Sequence, residues 1–157
     1  MRRVVTGPAT GGGADIVLDG DPPTVVEFGQ YRTTELWVTD SSPPVVGVTA
    51  DSSTRPWALE PPPGGSCFRV VRIAPEAESA GPPVQEAEDP GFLAEHSTGT
   101  LDYVVVVSGQ VTLTVGDSEV TLGPGDTVVQ QGTPHDWRNR GTEPCVLVGV
   151  LISTREP

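Results

Sequence analysis

Two histidines, His96 and His135, are the only imidazoles in the chain. His96 opens the stretch His96-Ser97-Thr98-Gly99-Thr100-Leu101-Asp102, and His135 closes Gly132-Thr133-Pro134-His135 ahead of Trp137 and Asn139. If both stretches are extended, His96, Thr98 and Asp102 share one face, and His135 and Trp137 share another, because side chains alternate along a strand. A closed sheet that brings these faces together supports two chemistries. Two neutral imidazoles and a carboxylate form the facial ligand set of Fe(II) or a similar divalent ion (Mn, Ni or Zn), with open positions for substrate or oxygen. Without a metal, an imidazole and the Asp102 carboxyl act as general acid and base, suited to dehydration, epimerisation, olefin shift or ring closure on a small oxygenated molecule. The competing structural reading makes both rings satisfied interior residues. It loses to function because no other histidine exists and these two fall in the two most distinctive stretches.

The last third of the chain reads as the scaffold for such a site. Leu101 to Ser108, Gly109 to Val115, Ser118 to Leu122, Thr127 to Gln130, His135 to Asn139 and Val146 to Ile152 are all strand-like. Val111, Leu113 and Val115 alternate with Gln110, Thr112 and Thr114, so one face is apolar and buried. Gly116-Asp117 has the residue types of a tight primed hairpin turn. Upstream, Ile16 to Leu18, Thr24 to Phe28, Thr34 to Thr39, Val45 to Thr49 and Cys67 to Ile73 are short apolar runs separated by Gly and Pro clusters. A meander of this kind hides its edges by closing into a barrel or jelly roll. The expected fold is all-β, with the N-terminal strands added to the sheet.

The motif wording resembles the cupin superfamily, whose two motifs read G-x5-H-x-H-x3-4-E-x6-G and G-x5-P-x-G-x2-H-x3-N around a short hairpin. His96 matches the first histidine, Asp102 stands where the family has its glutamate, and Gly109 closes the first motif. Gly132, His135 and Asn139 match the second. Thr98 replaces the family's second histidine, and Gln131 stands near the usual proline with the Gly125-to-Gly132 interval one residue short. The resemblance covers Gly91 to Ile152, and the wording around Asp102-Tyr103 and His135-x-Trp137-x-Asn139 is similar to stand-alone cupins of microbial secondary metabolism. It implies a double-stranded β-helix or jelly-roll barrel occupying residues 1–157 as one domain. That domain comprises an N-terminal strand extension (1–60), a strand plus acidic loop (61–90) and the motif core (91–152). It also implies a homodimer, a small-molecule substrate, and His96, Asp102 and His135 as the catalytic residues and, where one divalent ion is held, its ligands.

The leading functional expectation is a lyase, isomerase or cyclase of natural-product biosynthesis, metal-assisted or metal-free. The alternatives are a metal-dependent dioxygenase and a non-catalytic ligand-binding cupin, the last made plausible by Thr98. Val104, Val106, Trp137 and Tyr103 are expected to shape the cavity, with Tyr103 as a hydrogen-bond donor. Gln130 or Gln131 is expected to complete the polar shell, and Arg69 to bind a substrate carboxylate if its side of the strand faces in. Arg69 and Arg72 point to opposite faces at a spacing of three, so only one enters, and pairing at the surface is the simpler fate. Trp37 and Trp57 are expected to pack rather than to stack on substrate.

Composition narrows the partners. The 157 residues carry 21 acids against 9 bases, a formal charge of -12, and every base is arginine. Without lysine there is no Schiff-base or pyridoxal chemistry. So acidic a chain without a basic stripe repels nucleic acid and anionic membranes. Gly (19) and Pro (17) favour turns and strands over helices. Cys67 and Cys145 are too few for a disulfide scaffold or zinc knuckle and read as buried fillers. The run Pro75 to Pro90 holds five acids without a base and reads as a solvated loop. Gly11-Gly12-Gly13 lacks the lysine and helix of a phosphate loop and reads as a turn. No window approaches 18 apolar residues, and a cytoplasmic protein is expected.

Overall fold

The computed structural model describes residues 1–78 and 94–155. Eleven antiparallel strands and two short 3-10 turns make up its regular structure. Six strands form the larger sheet in the order β3 (Val25–Phe28), β4 (Tyr31–Thr39), β5 (Ser66–Ile73), β11 (Cys145–Ser153), β6 (Thr100–Ser108) and β9 (Thr127–Gln131). Facing it, β10 (Asp136–Arg138), β7 (Val111–Val115) and β8 (Ser118–Leu122) form a three-stranded sheet. The core lies between the two: Tyr31, Ile73, Val106 and Leu147 from the larger sheet meet Val111, Leu113 and Leu122 from the smaller, with Cys145 buried among them. This is the all-β jelly roll expected from the alternation, and both cysteines are buried as expected. Burial pushes the Cys67 thiol up to about 12 and that of Cys145 to about 11, which keeps both protonated and inert.

The N-terminal strands divide their roles. β3 and β4 extend the larger sheet by pairing β4 with β5. The remaining two, β1 (Arg3–Pro8) and β2 (Ala14–Gly20), pair only with each other, around a turn in which Gly11, Gly12 and Gly13 all have positive φ. Arg3 ties this hairpin down by donating to the Leu36 carbonyl (2.9 Å), to Asp51 (2.9 Å) and to the Ser53 hydroxyl (2.8 Å). The Arg3 guanidinium holds the Asp51 carboxyl down at about 2. Val45 to Thr49 corrects the sequence reading. It is not a strand, and Val45 and Val46 are exposed, because Ser42, Pro43, Pro44 and Gly47 deny it a partner ladder. Within the acidic run, residues from 79 onward lie outside the described residues.

Two glycine turns set the spacing of the motif strands. Gly116, at φ 55°, lies in the two-residue turn that joins Val115 to its partner Ser118. Gly109, at φ 73°, turns β6 toward β7 directly against the start of β11, where an added Cβ would stand 2.4 Å from the Pro144 carbonyl oxygen. Gly109→Ala is expected to cost roughly 2–4 kcal/mol, from left-handed strain together with overpacking. The shift of the urea midpoint measures it, and a loss below about 1 kcal/mol would show that the turn yields.

Candidate functional site

The inward positions of the large sheet build the site. On β5, Cys67, Arg69, Val71 and Ile73 share a face. Its ladder partners place Gly149 opposite Arg69 and Leu147 opposite Val71, and β6 then sets Val104 against Gly149 and Asp102 against Leu151. These positions enclose a cavity of about 100 Å³. Tyr31, Trp57, Val71, Leu147 and Leu151 give it apolar walls, and its polar groups are His96, Thr98, Asp102, His135 and Arg69. Gly149 forms part of the floor, where a side chain would otherwise fill the space.

The two histidines, 39 positions apart in sequence, are clipped together by their own backbones. His96 N–H donates to the His135 carbonyl at 3.0 Å, and His135 N–H returns a bond to His96 at 2.9 Å. Their ring centroids lie 4.5 Å apart. The Nδ1 atom of His96 lies 2.9 Å from the Ala94 carbonyl, and that of His135 lies 2.9 Å from the Thr133 carbonyl. Because a carbonyl only accepts, each neutral ring carries its proton on Nδ1 and its lone pair on Nε2. His135 is 3% exposed, and burial pulls its pKa below the ordinary imidazole value, with the neighbouring His96 acting in the same direction. It is therefore a neutral base at neutral pH.

Asp102 is 7% exposed, and burial raises its pKa above the usual carboxylate range, against the Thr100 hydroxyl, Arg69 and His96. Thr98, which stands in place of the second histidine, bonds Thr100 at 2.7 Å, so a hydroxyl chain backs the carboxyl. Asp102 Oδ1 is buried with no hydrogen-bond partner among the described residues. Asp102, with its pKa raised, and His135, with its pKa lowered, line the same cavity. The three-residue metal set is a different matter. Among the described residues no group of three or more His, Cys, Asp or Glu is placed to hold a metal ion.

Stability reports the state of His135. Its folded pKa lies below about 6.5, so the unfolded chain binds the extra proton first and stability falls as pH drops through 6.5 toward the folded value. Asp102 has the opposite sign: its contribution is full below the ordinary Asp value and is lost as pH rises through the raised folded value. His135→Gln is expected to shrink the loss of urea midpoint between pH 7.5 and 5.5 relative to wild type. An unchanged difference would show that His135 does not exclude a proton on folding.

The other expected residues fare unevenly. Trp137 and Val104 line the cavity, and Val106 lies in the core beneath it. Tyr103 does not shape the cavity: it follows Asp102, points to the opposite face and is 49% exposed. Gln130 is buried opposite Asp102, but its Nε2 donates to the Thr133 carbonyl and hydroxyl, which fixes the turn before His135 rather than reaching a ligand. Arg69 faces in and is 4% exposed, so surface pairing is wrong. Its Nη2 donates to buried Glu35 at 2.8 Å and to the Ala58 carbonyl, and its Nη1 donates to the Leu59 carbonyl. These bonds hold Ala58 and Leu59 to β5, and Trp57 and Leu59 from the same irregular segment line the cavity. Trp57, expected to pack, does so against the core and also lines the cavity. The guanidinium carbon of Arg69 lies 5.4 Å from its ring centroid. Asn139 is fully buried and holds the end of β10 by donating to the Ile73 and Glu143 carbonyls. Tyr31 holds the same strand through a 2.7 Å bond to the Trp137 carbonyl.

A family model described as a cupin domain matches residues 70–151. Two phomopsin biosynthesis cluster proteins, C' and D, of Diaporthe leptostromiformis are each 34% identical over 125 residues, which is 75% of this chain and 58% of theirs. The chain thus spans little more than half the length of these curated relatives. Oryzines biosynthesis cluster protein J of Aspergillus oryzae is 35% identical over 78 residues, 49% of this chain and 36% of that protein. Among solved structures, the polyketide cyclase RemF of Streptomyces resistomycificus aligns with a TM-score of 0.49 at 15% identity, over 83% of this chain and 72% of that one. A Cupin 2 conserved barrel protein of Salinispora arenicola aligns at 0.47 and 13% identity, over 82% and 81%. Among the described residues no helix is long and apolar enough to cross a membrane.

Proposed function

The chain belongs to the cupin family, and from that premise we propose that it is a secondary-metabolism enzyme that moves protons on a small oxygenated molecule held in the barrel. The membership of its relatives in phomopsin and oryzines biosynthesis clusters supports the metabolic setting. One observation carries the chemistry: buried His135, whose pKa burial pulls down, and buried Asp102, whose pKa burial pushes up, line one cavity. In this reading His135 Nε2 takes a proton from a carbon beside a carbonyl or hydroxyl. The C–H electrons form a new double bond, and Asp102 gives its proton to the oxygen that enolises or leaves as water. His135 is then cationic and Asp102 anionic, and a proton returned between them through the product or solvent restores both. The His96 ring lies tilted against His135, while Trp57 and Leu59 exclude water.

The proton transfer needs only these side chains, whereas the oxygen-using alternative would need a bound metal ion as well. The test is carbon–hydrogen exchange: the protein is incubated in D2O with a panel of small hydroxyketones and 1,3-dicarbonyls, and deuterium incorporation is read by mass spectrometry. Exchange faster than in buffer, and lost in His135→Ala, supports proton transfer. Exchange no faster than in buffer across the panel would overturn it in favour of a ligand-binding cupin.

A further inference from the structure

Every polar group in an apolar cavity must find a partner, and the groups left over describe the ligand. Arg69 and Asp102 both line the cavity, and both are more than nine-tenths buried. Arg69 Nη1 and Nη2 are taken by Glu35 and by the Ala58 and Leu59 carbonyls, but its Nε, which carries a hydrogen, has no partner among the described residues. Asp102 Oδ1 has none either. One unmatched donor and one unmatched acceptor therefore belong to residues on the same wall.

Their charge is already accounted for. The Arg69 cation is paired with Glu35, whose carboxylate lies 2.8 Å away in a fully buried bond. An anionic ligand would find no spare positive charge here and would bring its lone pairs against the Asp102 carboxyl. A hydrocarbon would leave both atoms orphaned, at a desolvation cost of about 1–3 kcal/mol each. A hydroxyl suits such a wall, since it can donate to Asp102 Oδ1 and still has lone pairs for a donor.

From this the geometry points to a neutral, compact molecule that bears a hydroxyl group, an alcohol, enol or phenol, seated with that hydroxyl donating to Asp102 Oδ1 and its apolar body against Trp57 and Leu151. The inference rests on the proposed use of this cavity but reads binding rather than turnover. It also reverses the simplest view of a buried arginine as a carboxylate receptor.

Three matched probes test it: p-cresol, 4-methylbenzoate and p-xylene, with affinities measured by isothermal titration or ligand-observed NMR on the wild-type protein and on Asp102→Ala. The expected result is p-cresol binding at least tenfold more tightly than either of the others. Asp102→Ala should bring p-cresol down to the level of p-xylene. If p-xylene binds as well as p-cresol, a water satisfies the two atoms and the inference fails. Tighter binding of 4-methylbenzoate, or no binding of any probe at millimolar concentration, also overturns it. Failure of the function shows differently: p-cresol keeps its preference while no substrate in the panel exchanges deuterium. If exchange depends on His135 but the three probes bind alike, the function stands and the hydroxyl assignment falls.

Discussion

His135→Ala lowers the rate of substrate proton exchange by roughly 10²- to 10⁴-fold, the usual contribution of one general base, while the protein stays folded. The size follows from its position. His135 is the buried ring whose pKa is pulled below the ordinary value, and its Nδ1 is committed to the Thr133 carbonyl, so Nε2 carries the basic lone pair. The fold survives because the bridge to His96 runs through main-chain atoms that alanine retains, and because Thr133 is exposed, so water can take over its carbonyl. The loss falls on kcat, since the hydroxyl-binding atoms lie on other strands. Tyr103→Phe changes nothing, because that ring faces outward. Stopped exchange assays of the two variants decide the matter, and a His135→Ala enzyme within tenfold of wild type would remove the base from the scheme.

Arg69→Met lowers stability by about 3–5 kcal/mol, the usual cost of leaving one partner of a buried ion pair uncompensated. The side chains of Arg69 and Glu35 are 5% and 4% exposed, and burial already pushes the Glu35 carboxyl above its ordinary range with only Arg69 opposing it. Glu35 Oε1 has no partner among the described residues. Removing the guanidinium also frees the Ala58 and Leu59 carbonyls that it holds. The double variant Arg69→Met, Glu35→Leu should recover most of the loss, because it removes the stranded charge. Urea unfolding of the two single variants and the double gives the coupling. A single variant that costs under 1 kcal/mol would mean that Glu35 escapes to solvent or takes up a proton without penalty.

Much of this was legible from residue types and parity. Val111, Leu113 and the glycines at 109 and 116 specify the hairpins, and two lone histidines on matching motifs specify their own meeting. Parity also places Asp102, Val104 and Val106 inward, and the same rule sends Tyr103 outward, so its assignment to the cavity set side-chain chemistry above geometry. On β5, the company of Cys67, Val71 and Ile73 marks Arg69 as inward. The register of β4 that delivers Glu35 to it depends on a bulge between Glu35 and Trp37, which no local pattern announces. Gln130 faces inward as expected but is consumed by Thr133 three residues on, a local bond that competes with any ligand. The place of Trp57 and Leu59 in the cavity wall is not legible for another reason. They sit in a proline-rich irregular stretch whose course is set by two carbonyl bonds to a distant arginine.

That stretch also divides the cavity along the chain. His96, Asp102 and His135 fall within residues 70–151, which the cupin family model matches, whereas Tyr31, Trp57, Leu59 and Arg69 all precede it. Part of the wall is therefore built by chain outside the motif strands, and changes at Trp57 or Leu59 can reshape the cavity without touching the segments that carry His96, Asp102 and His135.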